Sequence, residues 1–255
     1  MTEAFLAAFK RFISRRGLCE NVYTDCGTNF VGADSRLRNF MRQLTKNSNF
    51  INKMASDGIQ WHLNPPSAPH FGGIWEAAVK STKYHLRRVI GESKLTYEEL
   101  ATFLIQIETC LNSRPLTALS NDPQDLEALT PGHFLVGAPL NALPEPSHLL
   151  TAENKLTRWQ LVQKMRDYFW SRWSSEYLPL LNIRKKWAKS AENLSVGMLC
   201  IIRGENTAPT HWPLARIIAT HPSKDGNVKI VTVRTATTTL VRPVVKIIPF
   251  NLIAE

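Results

Sequence analysis

Apolar positions along this chain alternate between two periods. In residues 2–16, Phe5, Leu6, Phe9, Phe12 and Ile13 recur at helical spacing, while Lys10, Arg11, Arg15 and Arg16 fall mostly elsewhere. That pattern predicts an amphipathic helix, and Gly17 supplies a natural stop. Residues 21–25 read as a short strand ending in Asp25, followed by a turn over 26–30. Leu37, Phe40, Met41 and Leu44 predict a helix over 34–54, and residues 59–63 alternate as a strand. A loop rich in proline and glycine covers 64–73. Helices are predicted from Ile74 to about Ile90 and over roughly 96–112. The stretch 115–150, rich in Pro, Leu and Ala, reads as irregular connection, and 153–190 as helical. From Leu194 the period changes to two. Short runs at 198–203, 215–219, 228–234 and 239–245, with a turn at Asp225-Gly226, predict a small SH3-like or similar β-barrel.

These patterns divide the α/β chain into three parts: residues 1–112, a connector and helical basic region over 113–192, and a small β-domain over 193–251. Of the 255 residues, 44% are hydrophobic and 20% charged, a globular composition rather than a disordered one. Lys and Arg number 31 against 21 Asp and Glu, a formal charge of +10. So basic a chain is drawn to polyanions, nucleic acid above all. Cys19, Cys26, Cys110 and Cys200 form no C-x-x-C pair and no zinc-finger spacing, so free thiols are expected. The N-terminal segment lacks the features of a signal peptide, and no stretch has the ~18 apolar residues of a membrane span. The expected setting is therefore intracellular, nuclear or cytoplasmic, without a membrane partner.

Two carboxylates carry the candidate chemistry. Asp25 closes a strand before a glycine-containing turn, and Glu76 opens a helix after the Pro/Gly loop. A strand-end Asp and a helix-borne Glu are hard oxygen ligands on rigid elements, as divalent-metal phosphoryl-transfer sites require. Glu76, Lys80, Lys83 and Arg87 fall at i, i+4, i+7 and i+11, one stripe of a helix that Arg88 widens. A duplex along that stripe would set phosphates on the cations and a reacting phosphate near the acid. Taken singly, each feature has a plainer account: a turn Asp, a first-turn Glu favoured by the helix dipole, a solvated basic face. A second basic region spans 151–203, where Lys155, Arg158, Lys164, Arg166 and Arg172 precede Arg184-Lys185-Lys186-Trp187. The mixture of charge and aromatic at 184–187 suits a phosphate-tracking segment. Trp159, Phe169, Trp170 and Trp173 read as helix core. Arg203, Arg216, Lys229, Arg234 and Arg242 give the β-domain a basic character, while His62 neighbours the acids only loosely.

The block Tyr23–Ala33 resembles the D-x-G-T-N-F-x-G block of retroviral-type integrases, and Trp61–Glu76 resembles the matching block of BEL/Pao-type retrotransposons. Leu111-Asn112-Ser113-Arg114-Pro115-Leu116 and Leu129-Thr130-Pro131-Gly132-His133-Phe134-Leu135 continue the resemblance in order. It implies a partial RNase H-like integrase core over 1–112, a helical linker, and an SH3-like β-barrel tail. It also implies a metal triad in which Asp25 matches the second Asp and Glu76 the Glu, binding Mg²⁺ or Mn²⁺. Lys80, Lys83 and Arg87, with Arg184, Lys185 and Lys186, are then the expected DNA-binding residues, and an integrase-like multimer the expected assembly. No residue of the chain matches the first Asp, so metal-dependent strand transfer is expected to be impaired. The apolar face of residues 5–13 is likewise expected to lack the sheet it would cover, leaving residues 1–112 marginally soluble. The alternative reading is a non-catalytic chromatin or nucleic-acid adaptor; a gene-model fragment of a longer polyprotein is a third.

Overall fold

A computed structural model describes residues 2–25, 27–45, 59–64, 73–120, 122–143, 145–181, 193–204, 207–223 and 226–250. The fold is mixed α/β. It divides into two compact units, Met1–Ser81 and Thr82–Glu255.

The first unit holds α1 (Thr2–Arg16), β1 (Asn21–Thr24), α2 (Thr28–Thr45), β2 (Gln60–Leu63) and the start of α3 (Gly73–Ile90). The strands β1 and β2 pair in parallel, Asn21 with Gln60 through Thr24 with Leu63. Parallel neighbours require a crossover, and α2 lies between them in the chain. Phe9 of α1 is buried with Ala33 and Trp61, and Phe5, Leu6 and Ile13 pack around them. Phe5 meets Phe30 edge-on at 4.8 Å, and Phe9 lies 5.6 Å from Trp61. The face of α1 expected to lack a partner therefore has one, because Trp61 and α2 supply it. At Gly32 an added Cβ would stand 2.7 Å from Thr2 Oγ1, which shows how closely the two helices approach. The helix predicted from residue 34 begins at Thr28, since Phe30 and Ala33 already contribute to the buried face; its predicted end at 54 lies outside the described residues.

The second unit begins within α3. It continues through α4 (Tyr97–Asn112), the β3–β4 hairpin (Thr117–Ala118 and Ala128–Leu129), α5 (Pro131–Val136) and α6 (Arg158–Leu181). It ends in β5 (Leu199–Ile202), β6 (Leu214–Pro222), β7 (Val228–Arg234), β8 (Thr239–Pro243) and β9 (Ile247–Pro249). Thr96 and Glu99 form a reciprocal capping box at the start of α4. Phe103, Ile107 and Cys110, spaced i, i+4, i+7, pack on Val162, Met165, Phe169, Trp170 and Trp173 of α6. Phe169, Trp170 and Trp173 are thus core as expected, whereas Trp159 is half-exposed. Burial pushes the Cys110 and Cys200 thiols up to about 12, so both stay neutral. Cys19 is also a free thiol, and Cys26 lies outside the described residues.

Residues 115–150 are more regular than their composition suggests. The two-residue strands of the hairpin show no readable period, which hid them. In α5, Pro131 occupies the first turn, the Thr130 N–H donates to His133 Nδ1 at 3.0 Å, and Gly137 closes the helix at φ 76°. Before α6, residues 153–155 form one 3-10 turn. Thr157 and Gln160 then exchange hydrogen bonds that cap the helix.

All five strands of the C-terminal sheet are antiparallel, in the order β8-β7-β6-β5-β9. Cys200 and Ile202 of β5 face a cluster with Ala215, Ile217, Val231, Val233 and Ile247. Leu199 and Ile201, on the opposite face, pack with Leu178, Ala128, Ile248 and Phe250. The predicted closed barrel is instead an open sheet: the edge strands β8 and β9 are joined by a 3-10 turn (Val244–Lys246) but do not pair.

Phe169 is fully buried, so Phe169→Ala should cost about 3–5 kcal/mol, measured by urea denaturation followed through tryptophan fluorescence. At the start of α4, the Arg158 guanidinium donates to both oxygens of Glu99 (2.8 and 2.5 Å), and with the Thr96 backbone N–H it holds that carboxyl down to about 2. The stabilisation this brings is present above the ordinary carboxylate range and is lost as pH falls towards about 2. Thermal melts of wild type and Glu99→Gln, which keeps the cap but not the charge, should therefore converge as pH is lowered.

Candidate nucleic-acid interface

Asp25 stands directly after β1, and α3 follows β2 after the segment 64–72. Because β1 and β2 run parallel, both acids lie downstream of the same, carboxyl, end of the sheet. Ligands of parallel α/β sheets gather at that end. The backbone extends the ladder by one bond there, from Asn64 N–H to Thr24 O at 2.8 Å. The Asp25 carboxylate is exposed, and its Oδ1 accepts the Gly27 N–H at 2.8 Å. That bond makes a tight turn of the kind short polar side chains favour. Gly27 is needed for room: an added Cβ would lie 2.9 Å from Asp25 Oδ1 and 2.9 Å from Asn29 Oδ1. The D-x-G-T-N-F block thus positions Asp25 while Phe30 anchors it through Phe5. On the neighbouring strand His62 stacks on Tyr23 at 4.5 Å and bonds Asn21 Oδ1 at 2.8 Å, both on the exposed face. It thus belongs to a surface pair rather than to a cluster of acids.

Glu76 is exposed in the first turn of α3, and Lys80, Lys83, Arg87 and Arg88 are exposed farther along it. Among the described residues no carboxylate lies within ion-pair distance of these four cations. A row of unneutralised cations along one helix is what a polyphosphate backbone requires. Oxygen donors of the Asp25 and Glu76 type suit Mg²⁺ or Mn²⁺, but among the described residues no group of three or more His, Cys, Asp or Glu side chains assembles to hold a metal. Asp25 and Glu76 are two acids that no third joins among the described residues.

Other basic residues do different work. Lys164 is buried, its Nζ donating to Thr151 O at 2.6 Å. Arg166 is buried against Glu145 and Asp167. Arg216, buried on β6, donates to the carbonyls of Asp125 and Gly197 (2.7 Å to the latter). Its cross-strand partner Arg234 donates to Gln124 Oε1 at 2.7 Å and to Pro123 O. The two arginines clamp the loop of the β3–β4 hairpin onto the sheet. Arg158, Lys164, Arg166, Arg216 and Arg234 therefore hold the fold together rather than presenting charge to a ligand. Sequence gave no signal of this, because each acceptor but Asp167 is remote in the chain. Arg184, Lys185 and Lys186 lie outside the described residues.

The other motif blocks are structural too. Ser113 Oγ donates to Cys110 O at 2.8 Å and receives the Trp212 indole N–H at 3.4 Å, and the Tyr177 hydroxyl donates to Pro115 O at 2.9 Å. No described helix is long and apolar enough to cross a membrane. A comparison with curated proteins finds no match. Residues 157–250 match a family of unknown function (DUF5641). That stretch opens on Thr157, which caps α6, and closes on Phe250, buried against the sheet, so the resemblance covers α6 and all five C-terminal strands. Asp25, Glu76 and the basic face of α3 lie outside it.

Proposed function

We propose that this chain is a nucleic-acid-binding protein of the BEL/Pao-type integrase kind, engaging the phosphate backbone of DNA through α3. The observation that carries the reading is the exposed row Lys80, Lys83, Arg87 and Arg88, which lacks carboxylate partners among the described residues, whereas Arg158, Lys164, Arg166, Arg216 and Arg234 are tied into the fold. Backbone neutralisation of this kind is independent of sequence and strongly salt-dependent. Two coarser features agree with the integrase reading. The parallel β1–β2 pair with Asp25 at its carboxyl end suits part of an RNase H-like core. The order β8-β7-β6-β5-β9, with a 3-10 turn before the last strand, suits an SH3-like module. Asp25 and Glu76 would supply oxygen ligands to Mg²⁺ or Mn²⁺, and Glu76 at the head of the basic row would face a bound phosphodiester. Self-association into an integrase-like multimer belongs to the same proposal.

Fluorescence anisotropy of the full chain on a labelled duplex, at several salt concentrations, tests the reading. Affinity should fall linearly with salt on a double-logarithmic plot, with a slope of about −0.9 for each phosphate contact. Changing Lys80, Lys83 and Arg87 together to Gln should flatten that slope by about three contacts; an unchanged slope refutes it. In Mg²⁺ or Mn²⁺ the chain should bind the duplex without nicking it. Nicking abolished by Glu76→Gln would instead mean that a third ligand comes from outside the described residues.

A further inference from the structure

On the basic face of α3, one side chain is neither a cation nor a core residue. Tyr84 is half-exposed, one turn after Lys80 and one turn before Arg88. The Arg88 guanidinium carbon lies 3.4 Å above the centroid of its ring, and Arg88 Nη1 also donates to the Tyr84 carbonyl at 3.3 Å. At that distance the guanidinium lies in van der Waals contact over the ring, a planar cation held against an aromatic face at the protein surface.

This pair is held from beneath. The His85 ring meets Tyr84 edge-on at 5.2 Å and is almost wholly buried. Its Nε2 bonds Glu176 Oε2 of α6 at 2.9 Å, and its other side meets Phe169 at 5.8 Å. A mobile surface tyrosine would lose much entropy on stacking with a ligand; one seated on an immobilised histidine loses less. Lys83 and Arg87 flank the pair with positive charge.

We propose that Arg88 on Tyr84 is a stacking platform for an unpaired nucleobase on a strand whose phosphates follow Lys80, Lys83 and Arg87. The platform rests on the nucleic-acid reading above and adds a preference to it. Within a duplex every base already stacks on its neighbours, so a flat guanidinium offers it nothing. A base freed at a strand end or in a single-stranded stretch has an open face, and the guanidinium covers it with a delocalised cation. Tyr84 supplies the layer behind the guanidinium.

The test compares two labelled DNAs of equal duplex length, one blunt and one with a short single-stranded overhang carrying 2-aminopurine, bound to the full-length chain at fixed salt. Wild type should bind the overhang DNA about tenfold more tightly than the blunt one, with a change in 2-aminopurine emission on binding. Arg88→Lys keeps the charge and loses the plane; Tyr84→Leu keeps apolar bulk and loses the ring. Each should remove the preference and the emission change, and Tyr84→Leu, which removes no charge from the basic row, should leave blunt-duplex affinity within about twofold. Equal wild-type affinity for the two DNAs, or variants that keep the preference, overturns the platform and leaves backbone binding standing. Failure of wild type to bind either DNA overturns both.

Discussion

The indole of Trp212 belongs to two cores at once. It projects from the segment between β5 and β6 into the aromatic cluster of α6, 4.8 Å from Trp170 and 5.9 Å from Tyr177. It also packs with the second core, formed by Leu178, Leu199, Ile201, Ile248 and Phe250. Its N–H reaches Ser113 at the end of α4. A partly buried tryptophan packed on both flanks ties the sheet and the helices together, since neither can separate without exposing more of the ring. Much else in residues 82–250 follows. With one face of the sheet covered by α6 and the hairpin, β5 has no exposed side and every residue in it is buried.

That packing also decides where charge can act. From Val162 to Asp167, α6 is buried on all sides, polar residues included, so Lys164 and Arg166 must find oxygens within the protein. Arg216 meets the same demand with backbone carbonyls. A buried cation is tolerable only when so compensated. The cations of α3 escape the constraint because only one side of that helix, through Leu86, Val89 and Ile90, meets the core. The net basic charge is therefore a poor guide to the interface, and the location of uncompensated charge a better one.

The sequence revealed α1, α3 and α4 to within a residue or two, because each has a single apolar face with the helical period. It also set Asp25 at a strand end and Glu76 at a helix start, from turn chemistry on either side. It was silent about the β3–β4 hairpin, whose strands are too short to show a period, and about the arginine clamps. The basic stretch from 151 read as a surface, whereas two of the four cations in α6, Lys164 and Arg166, are buried; a helical segment covered all round has no polar face to mark it. Tyr84 and Arg88 were legible as i, i+4 neighbours, but the histidine that seats them depends on Glu176, far along the chain.

The most direct measurement is site-specific photo-crosslinking. A benzophenone side chain at position 83, on the basic face of α3, is compared with one at position 97, an exposed position on α4. With a bound duplex, position 83 should give DNA adducts that disappear at high salt, and position 97 few. Adducts mainly from position 97, or none from position 83 while DNA is bound, would contradict engagement of DNA through α3.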